Sequence, residues 1–194
     1  MKLLRTIALD PSDTFVFDVP AEPGDWAVPG AFRFCDRDPA KLQGKDRWAF
    51  RGGFLGVHSA TDTFYKWPEY GKLIGGYFDQ HPWHQSVRID VADRSDPLVA
   101  FLGASIAISD EIYQIRDFDA GGSHVLMRLD PASVDLTRNN VHQHPYGWPL
   151  AWTRAYGNGR VFYTALGHEE AVWRDSRYQT LLRNAVFWAI GGSR

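Results

Sequence analysis

Arg51-Gly-Gly-Phe-Leu-Gly-Val-His-Ser-Ala-Thr-Asp62 is the stretch from which the fold is read. A short apolar run, Phe54 to Val57, is framed by glycines and ends in small residues that carry His58 and Ser59. A buried parallel strand has this form when it stops at a sharp turn and presents a reactive side chain at its carboxyl end. Arg160-Val-Phe-Tyr-Thr-Ala-Leu-Gly-His-Glu-Glu170 repeats the pattern: an apolar strand, a glycine, then His168. In open α/β sheets ligands bind at the carboxyl ends of the strands. Two such ends, each with a histidine, predict one site.

Outward from these strands the chain reads as strand, helix, strand. Trp67 to Phe78 is predicted as a helix, with Pro68 in its first turn and Tyr70, Leu73, Ile74 and Tyr77 on one face. Ser86 to Val91 and Ser123 to Leu129 read as strands, and Pro97 to Leu102 as a short helical turn. Ser105 to Ile108 and Ile112 to Ile115 read as two extended pieces around Asp110-Glu111. Leu150 to Arg154 and Arg160 to Leu166 flank Tyr156-Gly-Asn-Gly159, a hairpin signal. Asp175 to Ile190 closes the chain as a helix, with Asp175 as N-cap and Gly191 as its stop. The first fifty residues differ in texture. Leu3 to Leu9, Thr14 to Val19 and Ala31 to Cys35 read as strands between proline and glycine turns, and Lys41 to Phe50 as a short helix.

The bulk numbers narrow the function classes. A chain of 194 residues and formal net charge -2 has no basic stripe, so nucleic acid is not an expected partner. No run approaches the roughly 20 apolar residues of a membrane span, and the N-terminus is too soon charged for a signal peptide. No membrane partner and a cytoplasmic location are the resulting expectations. The single cysteine, Cys35, excludes an internal disulfide and a cysteine-rich zinc site, and reads as a small buried thiol. Aromatic content is high, at 14%. Many rings neighbour Gly, Pro or His, as in His81-Pro-Trp-His84 and His144-Pro-Tyr-Gly-Trp148. Such rings either anchor loops to a core or stack on sugars.

From about Gly53 to Gly191 the chain resembles the trehalose-utilisation (ThuA-like) family. The pieces that carry this are Gly-Val-His-Ser-Ala-Thr-Asp-Thr-Phe-Tyr (56–65), Trp-Pro-Glu-Tyr-Gly-Lys-Leu-Ile-Gly-Gly-Tyr-Phe (67–78) and His-Pro-Trp (81–83). Asp-Glu-Ile-Tyr (110–113), Pro-Leu-Ala-Trp (149–152) and Tyr-Gly-Asn-Gly-Arg-Val-Phe-Tyr-Thr-Ala-Leu-Gly-His (156–168) follow in order. The resemblance implies a three-layer α/β fold with a mostly parallel sheet, flavodoxin-like or class I glutamine amidotransferase-like. It also implies carbohydrate chemistry, on keto-disaccharides or related sugars. Two departures stand out. Family members begin with a longer βαβ half, whereas residues 1–50 here resemble the start of a small bacterial family of unknown function. The expected organisation is thus an atypical, shortened, strand- and turn-rich segment 1–50 and an α/β domain 51–194, packed as one unit or joined as a fusion. The second departure is Val141-His-Gln-His-Pro-Tyr-Gly147, where the family tends to carry an Arg and acidic residues.

In glutamine amidotransferases the strand equivalent to Phe54–Val57 ends in a nucleophilic cysteine. His58 stands there in this chain, and imidazole does not replace a thiolate in forming an acyl-enzyme, so glutaminase activity is excluded. What remains as a catalytic set is His58, Glu111 and His168. Two uses are open for it. One is general acid–base catalysis, with the carboxylate fixing a tautomer. The other is a divalent metal such as zinc held by the same three residues, with a position left for water. Ser59, Asp62, Tyr65, Trp67, Asp110, Tyr113 and Trp152 are the expected substrate-binding residues, the rings stacking on a pyranose and the carboxylates accepting from hydroxyls. Trp83 and Trp148 are open to the same use, and Ser59 to that of nucleophile. His81 and His84 read as a turn after a helix and His124 as structural. His142 and His144 read as a solvated loop or a small metal clip. The competing reading is a non-catalytic sugar- or small-ligand-binding domain, or a fusion with an incomplete site. A sheet lacking strands exposes an edge, which favours a homo-oligomer.

Overall fold

The computed structural model describes residues 31–35 and 52–189. Its strands are β1 (Ala31–Cys35), β2 (Gly52–Val57), β3 (Tyr77–Val91), β4 (Ser105–Arg116), β5 (Ser123–Leu129), β6 (Pro149–Tyr156) and β7 (Gly159–Thr164). Its helices are α1 (Pro68–Ile74), α2 (Glu170–Arg174) and α3 (Ser176–Ala189), with short 3-10 turns at His58–Thr61, Ala100–Leu102 and Pro131–Ser133. The strands form one sheet in the order β1-β2-β7-β6-β5-β3-β4. The predicted elements at 3–9, 14–19 and 41–50, and the glycine stop at 191, lie outside the described residues.

The expectation of a mostly parallel sheet is corrected. Among the described strands only β2 and β7 run parallel, in the register Phe54↔Val161 and Val57↔Thr164, and every other neighbouring pair is antiparallel. The connections explain it. Parallel neighbours need a crossover of a dozen or more residues, usually helical, that carries the chain back to the starting end. Here β6 and β7 are joined by the two-residue turn Gly157-Asn158, and β3 and β4 fold back on each other over Tyr77↔Arg116 to Asp90↔Ser105. β5 is antiparallel to both its neighbours, and meets β3 only over Ile89–Val91. The fold class is α/β with a mixed, mainly antiparallel sheet.

Helices nevertheless cover both faces of the sheet at β2. A Cβ on Gly53 would lie 2.6 Å from the Cβ of Ala189 in α3, and one on Gly56 would lie 3.2 Å from Ile74 Cδ1 in α1. Strand positions three apart point to opposite faces, so α1 and α3 pack on opposite sides. The glycines are what let α3 and α1 approach the strand closely. Between the layers sit fully buried Trp152, Phe162, Tyr163, Leu55 and Ile74.

α1 is shorter than predicted. Gly75 takes φ 94°, its N–H bonds to Gly71 O at 2.8 Å, and the helix ends there. Tyr77, read as a helical face residue, instead begins β3. β3 then runs 15 residues through His81-Pro-Trp-His84, which is strand and not turn. Two register shifts interrupt its pairing with β4, between Phe78 and Gln80 and between Gln80 and Trp83. Pro82, without an N–H, sits in the second of these irregularities, where a ladder tolerates it. β4 is likewise one strand, so Asp110 and Glu111 are mid-strand and not at a strand end. α3 starts one residue after Asp175, whose carboxylate accepts the Arg177 N–H at 2.8 Å, the expected cap.

Candidate functional site

Strand β2 ends at His58 in the left-handed region, at φ 44°, and the chain turns at once into the 3-10 segment His58–Thr61. An imidazole rarely adopts that conformation without support. The fully buried Tyr163 supplies it, donating its hydroxyl hydrogen to His58 O at 2.7 Å, while Thr61 Oγ1 contacts the Tyr163 hydroxyl at 2.8 Å. The ring is buried, lies 4.0 Å from the Tyr113 ring, and its Nδ1 meets Ala165 O at 2.9 Å. A carbonyl only accepts, so Nδ1 carries the proton and Nε2 keeps a lone pair when the ring is neutral. Burial pushes the His58 pKa below 6.5, against the opposing pull of the Ala165 carbonyl and Asp110. Near neutral pH, Nε2 is an acceptor.

That nitrogen faces His168 Nδ1 at 3.1 Å and Glu111 Oε2 at 3.2 Å, and His168 Nδ1 lies 3.3 Å from the same Glu111 oxygen. Glu111 Oε1 is 3.3 Å from His81 Nδ1. His84 Nε2 contacts Glu169 Oε1 at 2.6 Å. The β3–β4 pair therefore reaches across the carboxyl ends of β2 and β7, and the structure brings His58, Glu111 and His168 together.

Asp110 does something different from the expected hydroxyl binding. Its side chain is fully buried, and its two oxygens accept backbone N–H groups from Gly167 at 2.7 Å, His168 at 3.1 Å and Glu169 at 2.9 Å. Burial pushes its pKa above the ordinary aspartate value, and the amides pull it back. It holds the turn that carries His168 and offers nothing to a substrate. Trp152 is corrected in the same way: no part of it is exposed, and its indole N–H donates to Ile74 O at 2.8 Å inside the core. Trp83 and Trp148 are buried too and meet edge to face at 5.9 Å.

The remaining expected binding residues differ in exposure: Tyr65 and Asp62 are exposed, Ser59 and Trp67 half-buried, and Tyr113 buried. Tyr65 is 45% exposed, and its hydroxyl donates to the exposed Asp62. Tyr113 lies between His58 and Phe78, whose ring is 4.4 Å away. Its hydroxyl pKa is raised, chiefly by burial and then by the charges of Glu111 and Asp62. Ser59 is half-buried in the 3-10 turn, and Trp67 is partly buried with its ring stacked on Tyr70 at 6.0 Å. His81 was missed from the sequence because a His-Pro pair reads as a turn. The signal was the strand alternation of Ser86–Val91, which extends backward through it. His124 lies 3.2 Å from Asp93, away from this set.

The three facing atoms of His58, Glu111 and His168, 3.1–3.3 Å apart, fit a divalent metal. With zinc bonds of about 2.0–2.1 Å, tetrahedral ligand atoms are separated by about 3.3 Å. The same contacts serve a metal-free proton relay, in which His168 Nδ1–H donates to His58 Nε2 or to Glu111.

Comparison with known proteins agrees with this architecture. A family model described as trehalose utilisation (ThuA) matches residues 45–189, and one for a family of unknown function (DUF6505) matches residues 1–64. No curated protein matches. A solved structure of a protein described as ThuA-like from Bacteroides uniformis ATCC 8492 is 27% identical, with a TM-score of 0.62 over 78% of this chain and 68% of that one. Another, from Parabacteroides merdae ATCC 43184, is 20% identical, with a TM-score of 0.55 over 73% of this chain and 62% of that one. Among the described residues no helix is long and apolar enough to cross a membrane.

Proposed function

The chain belongs to the trehalose-utilisation family, and from that premise we propose that it transforms a sugar, of the keto-disaccharide class or a related derivative, at His58, Glu111 and His168. The observation that carries this reading is the convergence of His58 Nε2, His168 Nδ1 and Glu111 Oε2 at 3.1–3.3 Å on a strained strand end. A keto group acidifies the neighbouring C–H, and a neutral imidazole is the base such a substrate needs near pH 7. His58 is held neutral by burial and carries its lone pair on Nε2, the nitrogen that faces His168. On taking a proton it becomes an imidazolium beside the Glu111 carboxylate, which stabilises the charge. His168, 43% exposed at the side chain, is placed to pass that proton to a leaving oxygen or to water. A divalent metal on the same three residues would polarise a carbonyl or acidify water when bound. The exposed Tyr65 and Asp62 would supply a ring face and a hydroxyl acceptor.

The test is turnover of a panel of keto-disaccharides by the wild type and by His58→Ala, with elemental analysis of both. The expected result is a loss of about 10²–10⁴ in rate for the variant, the usual worth of a positioned acid–base group. Turnover that survives His58→Ala, or sugar binding with no turnover by the wild type, would overturn it.

A further inference from the structure

We propose that Asp79, His142 and His144 form a second divalent-metal site, for a zinc-like transition ion, at the first irregularity of β3. His142 Nδ1 lies 2.6 Å and His144 Nε2 lies 3.3 Å from one oxygen of Asp79, Oδ2, and the three donor atoms are within 4.8 Å of one another. Two imidazoles and a carboxylate are the donor set of transition-metal sites that keep an open position. The His144 spacing already equals the edge of a zinc tetrahedron, about 3.3 Å, and the His142 ring would have to retreat by about 0.7 Å. That ring is 48% exposed and has room to move, whereas Asp79, at 12%, is fixed.

Three independent features hold these donors in place. Asp79 is the extra residue of the first irregularity in the β3–β4 ladder, where Phe78 pairs with Ile115 and Gln80 with Gln114. A bulge re-aims the side chain it carries. Gln114 is fully buried, and its amide bonds to the histidine loop through both its oxygen and its nitrogen. Its Oε1 accepts from His142 N–H at 2.9 Å and from the Trp148 indole at 3.1 Å, and its Nε2 donates to Asn140 O at 2.8 Å. The His144 ring stacks on Tyr146 at 5.0 Å with only 8° between the planes, and the Tyr146 hydroxyl donates to Ile115 O at 2.9 Å. A solvated loop has no use for so complete an anchorage. A loop that must deliver two imidazoles to one carboxylate oxygen does.

The site is separate from the His58 cluster in its residues, so the two are tested apart. Full-length protein stripped with chelator is titrated with Zn²⁺ against a chromophoric competitor, for the wild type, His142→Ala, Asp79→Asn and His168→Ala. Loss of outer hydrogen-bond partners alone weakens metal sites about 10–100-fold, so loss of a ligand should weaken this one by at least about tenfold. The expected result is that weakening in His142→Ala and Asp79→Asn, with this site intact in His168→Ala. Circular dichroism confirms folding, and should Asp79→Asn misfold, His142→Ala carries the test because its ring is half exposed. Zinc isotherms identical in wild type and His142→Ala would overturn the proposal. So would zinc bound by the wild type and lost only in His168→Ala, which would assign the ion to the first cluster and leave the proposed function standing.

Discussion

Replacing Asp110 with Asn tests whether the histidine turn is held by a buried carboxylate. The carboxylate accepts three backbone N–H groups, from Gly167, His168 and Glu169. Asn conserves the volume but offers only one acceptor oxygen. If that oxygen keeps His168 and Glu169, both of which use Oδ1, the new NH₂ faces the Gly167 N–H donor to donor. One charge-assisted bond worth about 1.5–3 kcal/mol is lost, and the other two weaken toward neutral values. The expected cost is about 3 kcal/mol. For a domain of this size a kcal/mol moves Tm by about 2–4 °C, so Asp110→Asn should melt about 6–12 °C lower. Asp110→Ala should be worse, by less than three full unpaired amides, because the exposed His168 lets water reach the turn. Differential scanning calorimetry at pH 7.5 measures this, with Glu111→Gln as the control that removes a nearby carboxylate without touching the amides. A Tm for Asp110→Asn within about 2 °C of wild type would refute the role given to Asp110.

Two further outcomes follow from burial and close packing. His58 has a folded-state pKa below 6.5, so the unfolded chain takes up a proton that the native state refuses. Stability present above pH 6.5 is therefore lost as pH falls through 6.5 toward the folded-state value, at up to about 1.4 kcal/mol per pH unit. Urea unfolding at pH 7.5, 6.5 and 5.5 should show this extra slope in wild type and not in His58→Asn, which tolerates the left-handed backbone; equal slopes would sink the idea. Gly53→Ala places a Cβ 2.6 Å from Ala189 Cβ and 2.8 Å from its carbonyl oxygen, so β2 and α3 must separate. Such overpacking costs about 1–3 kcal/mol, and an unchanged urea midpoint would refute the close approach.

Local chemistry made part of this architecture legible. The apolar runs 54–57 and 161–164 do form neighbouring parallel strands, and the Gly157-Asn158 turn forms its hairpin. The histidines at the ends of those strands meet because parallel neighbours finish on the same side. What the sequence left illegible is set by long-range pairing. A carboxylate pair inside an apolar strand looks like a turn until a second strand is known to cross the site, and β4 does cross it. Tyr77 matched the helical period although Gly75-Gly76 had already ended α1. Trp83 and Trp148 sit beside prolines in sequence, which suggests loops, and Trp152 lies in a predicted strand, yet all three fill the core. Local composition cannot separate a ring that anchors from a ring that binds.

The backbone at His58 ties these observations to chemistry. A left-handed non-glycine residue costs about 1–2 kcal/mol and persists only where its surroundings over-determine it. Here they do: the Tyr163 hydroxyl on His58 O, the Ala165 carbonyl on Nδ1 and the Tyr113 ring against the imidazole fix three sides. None of the three satisfies Nε2. The fold thus accepts strain and buries an aromatic ring, a Tyr and a Thr around one residue, and it leaves Nε2 facing Glu111 and His168. Asp110 completes the same logic from the other side, since it fixes the backbone of His168 while leaving that imidazole exposed to move.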